Sequence, residues 1–363
     1  MLISHTNSLL MKILHVITSL RTGGAEKLVC DLLPIMRDYG HTVELAVFDG
    51  TPTHLLTALK GQNITVHILG KGLRSIYSPL NINYLKSLLG EVNIVHSHNT
   101  SAQLFTALAA PAEVALVTTE HNTDNRRRRH SWMRPFDLRL YRCYDAIACC
   151  SEAVAASLLS YLGPDFAEKT TVIENGIDLD DFATCDTVAK ETDILMVAAF
   201  RPQKDHLTAL RALTMLPPDV TLSFAGEGAT RPQVEAEVRR LGLENRVRFL
   251  GSVSNVPHRL HTAKIALLST HYEGLSLSSI EAMASGTPLV ASDVKGVREV
   301  CTGAALLFPD GDAKALAEIL DRLLKSSDLR NETASRCRAR ASRFDIRSTA
   351  RAYLALYESL LRR

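Results

Sequence analysis

Two carboxylates eight positions apart, Glu273 and Glu281, sit in the segment of this chain best suited to chemistry, His271 to Ser292. Glu273 adjoins Gly274 in a turn, and Leu275, Leu277 and Ile280 supply the apolar face of a helix that Gly286-Thr287-Pro288 stops. Leu289-Val290-Ala291 then reads as a buried strand. One acid therefore precedes a helix and the other lies inside it. The unpaired N–H groups and positive dipole end of a helix N-terminus attract phosphate. A carboxylate within that helix would repel phosphate and is better employed on hydroxyls. A sugar nucleotide offers both groups.

Other spacings suit the same ligand. Thr22-Gly23-Gly24-Ala25-Glu26 follows the first apolar run and opens a helix, so the backbone can approach an anion there. Phe200-Arg201-Pro202-Gln203-Lys204-Asp205-His206 follows an apolar run in the second half, and its arginine and lysine suit a departing diphosphate. His98 and His121 each end an apolar run in the first half, whereas His15 and His96 fall inside such runs and read as core residues. From His121 to Arg142 there are seven arginines, Arg126 to Arg129 among them, against two aspartates, a local excess of five positive charges around Trp132, Met133 and Phe136. That mixture suits the headgroup level of an anionic membrane, or the pyrophosphate of a lipid carrier. Asp178-Leu179-Asp180 has the form of a metal-binding pair, but no histidine follows at ligand spacing, and no metal is expected.

Glu273-x7-Glu281 followed by Ala282-Met283-Ala284-Ser285-Gly286-Thr287-Pro288 resembles the donor-site signature of the retaining family-4 glycosyltransferases, which have the two-domain GT-B fold. The resemblance runs from about Met11 to the last helix. It implies transfer of a sugar from a nucleotide-diphosphate donor with retention, by a hexosyl- or N-acetylhexosaminyltransferase. It further implies that Glu273, with Gly274, meets the donor sugar, and that Glu281 binds ribose hydroxyls. The N–H groups of Leu275, Ser276 and Leu277, with Lys204 and Arg201, would hold the diphosphate, faced by Gly23 and Gly24. His121, with His98 as a second candidate, would meet the sugar or acceptor. The family's usual arginine aligns with Ala199, so Arg201 is the expected substitute. No cofactor is expected. The expected partners are a UDP-sugar and a lipid-linked saccharide in bacterial exopolysaccharide, capsule or lipopolysaccharide synthesis. The expected place is the cytoplasmic face of the cell membrane, with Arg126, Arg127, Arg128, Arg129 and Trp132 at the acceptor or membrane. A GDP-mannose-dependent mannosyltransferase and a nucleotide-sugar 2-epimerase are the alternatives. Thr22-Gly23-Gly24-Ala25 lacks the spacing of a dinucleotide-binding dehydrogenase.

These side chains require strands that end in loops, and the sequence supplies them. The chain has 363 residues, 46% hydrophobic and 22% charged, as in an ordinary two-domain globular enzyme, and its net charge of +2 does not suggest a nucleic-acid binder. Short apolar runs alternate with amphipathic ones, which predicts parallel α/β architecture. Thirteen strands are expected, from Lys12–Thr18 to Ala305–Phe308. The expected organisation is an N-terminal Rossmann-like domain at 1–177, a linker at 178–192, and a donor domain at 193–345. A helix at 346–363 would cross back to the first domain, the ligand lying between the two sheets. Residues 1–10 read as a disordered extension without the basic start of a signal peptide. The seven cysteines, odd in number and without a C-x-x-C pair, read as reduced. No run approaches the ~20 apolar residues that span a bilayer.

Overall fold

The computed structural model describes residues 9–21, 23–123, 126–183 and 189–362, with Leu73 and Arg126 described by backbone alone. Thr22, most of the expected N-terminal extension, Cys185 and part of the expected linker lie outside the described residues. The chain forms two compact units, Met1–Asn175 with Ile346–Arg363, and Gly176–Asp345.

The first unit holds β1 (Lys12–Ser19), β2 (Thr42–Asp49), β3 (Thr65–Ile68), β4 (Ile94–His98), β5 (Ala115–Glu120), β6 (Ala146–Cys149) and β7 (Thr170–Val172). They form one sheet in the order β3-β2-β1-β4-β5-β6-β7, with every pairing parallel. The second unit holds β8 (Thr192–Val197), β9 (Leu222–Ala225), β10 (Val247–Gly251), β11 (Ala263–Leu268), β12 (Leu289–Ser292) and β13 (Leu306–Phe308). Their order is β10-β9-β8-β11-β12-β13, again all parallel. A parallel sheet needs helical crossovers, which cover both faces. The strands are accordingly apolar in runs rather than by alternation. The two Rossmann-like sheets are those expected of the GT-B fold. The strand order reverses between β1 and β4 and between β8 and β11, the places where open α/β sheets bind ligands beyond their carboxyl ends.

Each unit has its own core. In the first, Ile13, Ile17, Leu45 and Val117 meet the helix Gly24–Asp38, which buries Leu28, Leu32, Leu33 and Met36. The last helix, Ile346–Leu361, belongs to this unit and buries Tyr353 and Tyr357 completely. Burial of one such ring contributes on the order of 1.5–3 kcal/mol. In the second unit Phe200, Phe224 and Phe308 pack with Leu210, Leu213 and Leu320. The residues expected to form a linker lie in the second unit as far as they are described. Leu179–Phe182 make a single 3-10 turn that buries Phe182, and Ile177 N–H donates to Phe344 O at 2.9 Å. Of the described cysteines only Cys143 is exposed, and none forms a disulfide. No helix among the described residues is long and apolar enough to cross a membrane.

Candidate functional site

In the second unit the loops after β8 and β11 are laced together by their backbones. Asp205 N–H donates to Ser269 O at 3.0 Å and His271 N–H to Gln203 O at 2.9 Å, and Lys204 bridges Thr270. This pairing brings Lys204 and Glu273, 69 positions apart, into direct contact: Lys204 Nζ donates to Glu273 Oε1. Thr270 Oγ1 lies 2.9 Å from the same oxygen, and Thr270 N–H is held by Ser292 Oγ at 2.9 Å. Glu273 is only 8% exposed, so its charge is compensated by partners rather than by water.

Behind Glu273 the chain enters the helix Leu277–Ala284, whose N-cap Ser276 accepts from Ser279 N–H. The first turn, with Leu275 and Leu277 buried beneath it, presents N–H groups that have no carbonyl a turn earlier. Glu281, half-buried, lies one turn into this helix. Gly296 closes the loop from the other side: with φ +78°, its missing Cβ would stand 2.4 Å from Glu273 O and 2.9 Å from Gly274 O. Arg201 is exposed beside this site, and its N–H donates to Ala199 O at 2.9 Å.

One loop here escaped the sequence reading. Gly226-Glu227-Gly228 follows β9 and lies against the end of β8. A Cβ on Gly226 would stand 2.1 Å from Ala198 O, and one on Gly228 2.2 Å from Phe200 O. Phe200 N–H donates to Glu227 O at 3.0 Å. Both glycines have positive φ, +149° and +155°. A Gly-x-Gly immediately after a strand was the available signal.

In the first unit Gly23 and Gly24 begin the helix after β1, with Gly23 as its extended N-cap. The Glu26 carboxylate folds back over Gly23, where a Cβ would stand 2.2 Å from its Oε2. A group of histidines spans β1, its neighbour β4 and the end of β5. His15 on β1, His96 and His98 on β4 are wholly buried, and His121 follows β5 directly. His15 Nδ1 lies 3.1 Å from His98 Nε2, and His98 Nδ1 lies 3.2 Å from His121 Nε2. His96 is held separately, Nδ1 by Tyr357 Oη and Nε2 by Thr119 Oγ1, both at 2.6 Å. Burial pushes His15 down to about 3 and His121 to about 4, and holds His96 and His98 well below the ordinary imidazole value. All four rings are therefore neutral at pH 7. Nitrogens of His15, His96 and His98 approach closely enough to share one ion, but both nitrogens of His96 are already taken by hydroxyls.

The arginine run is corrected in part by the structure. Arg128 Nη2 donates to Glu120 Oε2 at 2.5 Å, with the two side chains 7% and 6% exposed. Arg127 pairs with buried Asp137 at 3.3 Å and donates to Gln103 Oε1 at 3.0 Å. Tyr141 Oη and Gln103 Nε2 complete the shell of Glu120 at 2.5 and 2.6 Å. A buried carboxylate at the end of β5 demands this compensation, so Arg127 and Arg128 face inward and are not available to a membrane or a lipid pyrophosphate. Arg129 and Trp132 are exposed, Trp132 at 74%, and Phe136 at 44%. The side chain of Arg126 lies outside the described residues. Glu120, Gln103, Tyr141 and Asp137 were not singled out from sequence.

The chain is similar to known proteins along most of its length. The Glycosyltransferase Family 4 model matches residues 22–181, and the Glycosyl transferases group 1 model matches residues 182–341. A glycogen synthase of Mycobacterium tuberculosis is 31% identical over 294 residues, covering 73% of this chain and 68% of that protein. A phosphatidyl-myo-inositol mannosyltransferase of Mycolicibacterium smegmatis is 26% identical over 365 residues, covering 93% of this chain and 90% of its own length. Among solved structures, Anabaena Alr3699/HepE in complex with UDP and glucose shares the fold with a TM-score of 0.85 at 23% identity, over 96% of this chain and 100% of that one.

Proposed function

This chain belongs to the group 1, family 4 glycosyltransferases, and on that footing we propose that it moves a sugar from a UDP-sugar to a lipid-linked saccharide with retention at the anomeric carbon. The observation that carries the reading is the contact of Lys204 with Glu273 at the ends of β8 and β11, beside the N-terminus of the helix Leu277–Ala284. Lys204 offers the three donors of an ammonium group, and the helix turn offers backbone N–H groups. Together they stabilise the diphosphate as negative charge develops on it. Glu281 takes the ribose hydroxyls and Glu273 the donor sugar. Arg201, exposed and next to Lys204, adds charge to the phosphates.

Glu273 is a poor nucleophile in this setting, because its Oε1 is held by both Lys204 and Thr270. Retention then proceeds on the front face of the sugar. The leaving phosphate takes the proton of the acceptor hydroxyl as the new C–O bond forms and the C–O bond to phosphate breaks. The protein's part is positional and electrostatic. His121, neutral at pH 7, contacts the sugar or the acceptor through a hydrogen bond. We propose no metal, since cationic side chains and helix N–H groups supply the neutralisation.

The UDP in the Anabaena complex favours uridine. A second reading, GDP-mannose as donor, is favoured by the mannosyltransferase relative that matches along 93% of the chain. The acceptor's lipid and the seat at an anionic membrane surface rest on that relative's phosphatidylinositol substrate and on exposed Arg129, Trp132 and Phe136. Thermal shift against a panel of nucleotides and nucleotide sugars tests the donor. At a hundred times Kd a true ligand adds about 2.7 kcal/mol to stability. The product's anomeric configuration, read by proton NMR, tests retention. Silence towards every UDP- and GDP-sugar would defeat the proposal. Donor converted to its 2-epimer without acceptor would replace it with an epimerase.

A further inference from the structure

The helix Leu80–Leu88 of the first unit is packed the wrong way round for an element that faces only water. It buries Asn81 at 1% exposure and leaves Leu80 and Tyr84, one turn apart, 61% and 52% exposed. Tyr77, which ends the 3-10 turn Leu73–Tyr77, and Ile68, which ends the edge strand β3, are exposed as well. Four large apolar side chains exposed within one short stretch, beside a buried asparagine, are not the scatter of an ordinary surface.

Slack packing does not account for this exposure, because the stretch is fastened to the core. At the end of β2 the carboxylate of Asp49, 1% exposed, accepts from Gly72 N–H at 2.7 Å and from Arg21 Nη2 at 3.0 Å. Ser75 Oγ donates to Gly72 O at 2.6 Å, and Asn81 Nδ2 donates to Ser75 O at 2.9 Å. One hydrogen-bonded path therefore runs from a buried acid to the first turn of the helix. It ends on the polar side chain that the helix turns inward.

The charges decide what the surface meets. Between Asp49 and Glu91 the sequence has no acid and four basic residues, Lys60, Lys71, Arg74 and Lys86. The last three flank the exposed rings in sequence and are themselves exposed. The neighbouring helix, Thr100–Ala109, carries no charged residue. Tyrosine and leucine among lysine and arginine, with no acid between them, suit the headgroup level of an anionic bilayer. Two copies of this surface about a two-fold axis would set like charges against each other, which disfavours self-association.

We propose that Lys71, Arg74, Tyr77, Leu80, Tyr84 and Lys86 form a surface that docks on anionic lipid, with Asp49 holding its loop in place. The stretch follows the carboxyl end of β3, as Arg129, Trp132 and Phe136 follow that of β5, so both leave the same edge of a parallel sheet. The first unit then meets the bilayer at two places. This extends the membrane seat of the proposed function, but it is read without donor or acceptor.

The test mixes full-length protein at low salt with vesicles of phosphatidylcholine, alone or with phosphatidylglycerol, and follows sedimentation and hydrogen exchange. Wild type should bind the anionic vesicles and gain protection at 72–84. The triple variant Lys71→Ser, Arg74→Ser, Lys86→Ser should bind on the order of a hundredfold more weakly, about fivefold for each charge. The triple variant Tyr77→Ser, Leu80→Ser, Tyr84→Ser should lose on the order of tenfold or more. Tm should stay put in both, since these side chains face solvent. Wild type that ignores anionic vesicles, or binds them without protection at 72–84, would overturn the proposal. The second result would leave Arg129 and Trp132 as the whole seat. A wild-type dimer in light scattering that the apolar triple variant makes monomeric would assign the surface to a second copy and overturn it too. Should neither variant fold, exchange on the wild type decides alone. Vesicle binding through 72–84 in a protein that transfers no sugar would defeat the glycosyl-transfer reading and leave this surface standing.

Discussion

Mild acid should destabilise the first unit far more steeply than a protein of ordinary composition. His15, His96 and His98 have no exposed surface and are held neutral by burial, His15 down to about 3. In the unfolded chain each returns to about 6.5. The folded values are depressed, so the stability these rings contribute is complete above pH 6.5. It drains away as the pH falls towards the folded values, because the unfolded state binds protons that the folded state refuses. Between pH 7 and pH 5 one such ring costs about 2 kcal/mol, and three cost about 6 kcal/mol. A domain's whole stability is about 5–15 kcal/mol. His41, also pushed down by burial, acts in the same sense. Asp137 acts the other way, since burial holds its carboxyl above the usual range, but only nearer carboxylate pH. The assay is hydrogen exchange by mass spectrometry from pH 7 to pH 5, corrected for intrinsic rates and read at β1 and β4. The opening free energy there should fall by at least about 4 kcal/mol per pH unit near pH 5, the slope of three protons, and His121, pushed down to about 4, acts in the same sense. A slope of one proton or less, below about 1.4 kcal/mol per unit, would refute the claim that these rings stay neutral together.

Lys204→Met should lower kcat on the order of a hundredfold and also lower Tm, because it leaves buried Glu273 without its cation. Adding Glu273→Gln should restore Tm and not kcat; recovery of both would deny Lys204 a role at the diphosphate. In calorimetry, Glu281→Ala should weaken UDP or GDP binding, while Glu273→Ala leaves free-nucleotide affinity nearly unchanged and damages turnover. Equal effects would show that the ribose and sugar roles are misassigned. Activity should survive EDTA, and loss restored by Mn²⁺ would return Asp178 and Asp180 to consideration. Arg129→Ser with Trp132→Ala should reduce sedimentation with anionic vesicles at low salt without moving Tm, whereas Arg127→Ser or Arg128→Ser should lower Tm by exposing the network to an unpaired acid. Wild-type protein that ignores such vesicles would leave the exposed patch without a membrane role.

The strands were legible because a parallel sheet covered on both faces needs short apolar runs, and each of the thirteen expected runs became a strand. Their ends were less legible, for one physical reason. β4 runs through His96, Ser97 and His98, and β5 through Thr118, Thr119 and Glu120. Polar side chains read as loop when counted by type. Here they are interior, satisfied by Tyr353, Tyr357, Gln103 and Tyr141, which lie up to 261 positions away. Lys204 and Glu273 were readable singly from their places after strands. Their ion pair was not, because it depends on the lacing of two loops 69 positions apart.

The arginines show the same limit more sharply. Counting from His121 to Arg142 gives five excess positive charges, yet the acid that neutralises Arg128 is Glu120, one residue before the window. Charge along a chain measures what solvent would see if every side chain faced it. Whether it does is decided by desolvation: a carboxylate at a buried strand end cannot stay charged without a donor within hydrogen-bond reach. Glu120 therefore requires a cation, and the nearby run supplies Arg128. Asp137 has the same need and takes Arg127. Apart from Arg127 and Arg128, the arginines of this run whose side chains are described, Arg129, Arg134, Arg139 and Arg142, are exposed, as are Trp132 and Phe136. At about 1 kcal/mol per basic residue near an anionic surface, removing any one of these arginines costs little, whereas Trp132 is a large exposed ring suited to the interface. Trp132→Ala alone should then cost more vesicle binding than Arg129→Ser alone, and the reverse order would place the charge, not the rings, in control.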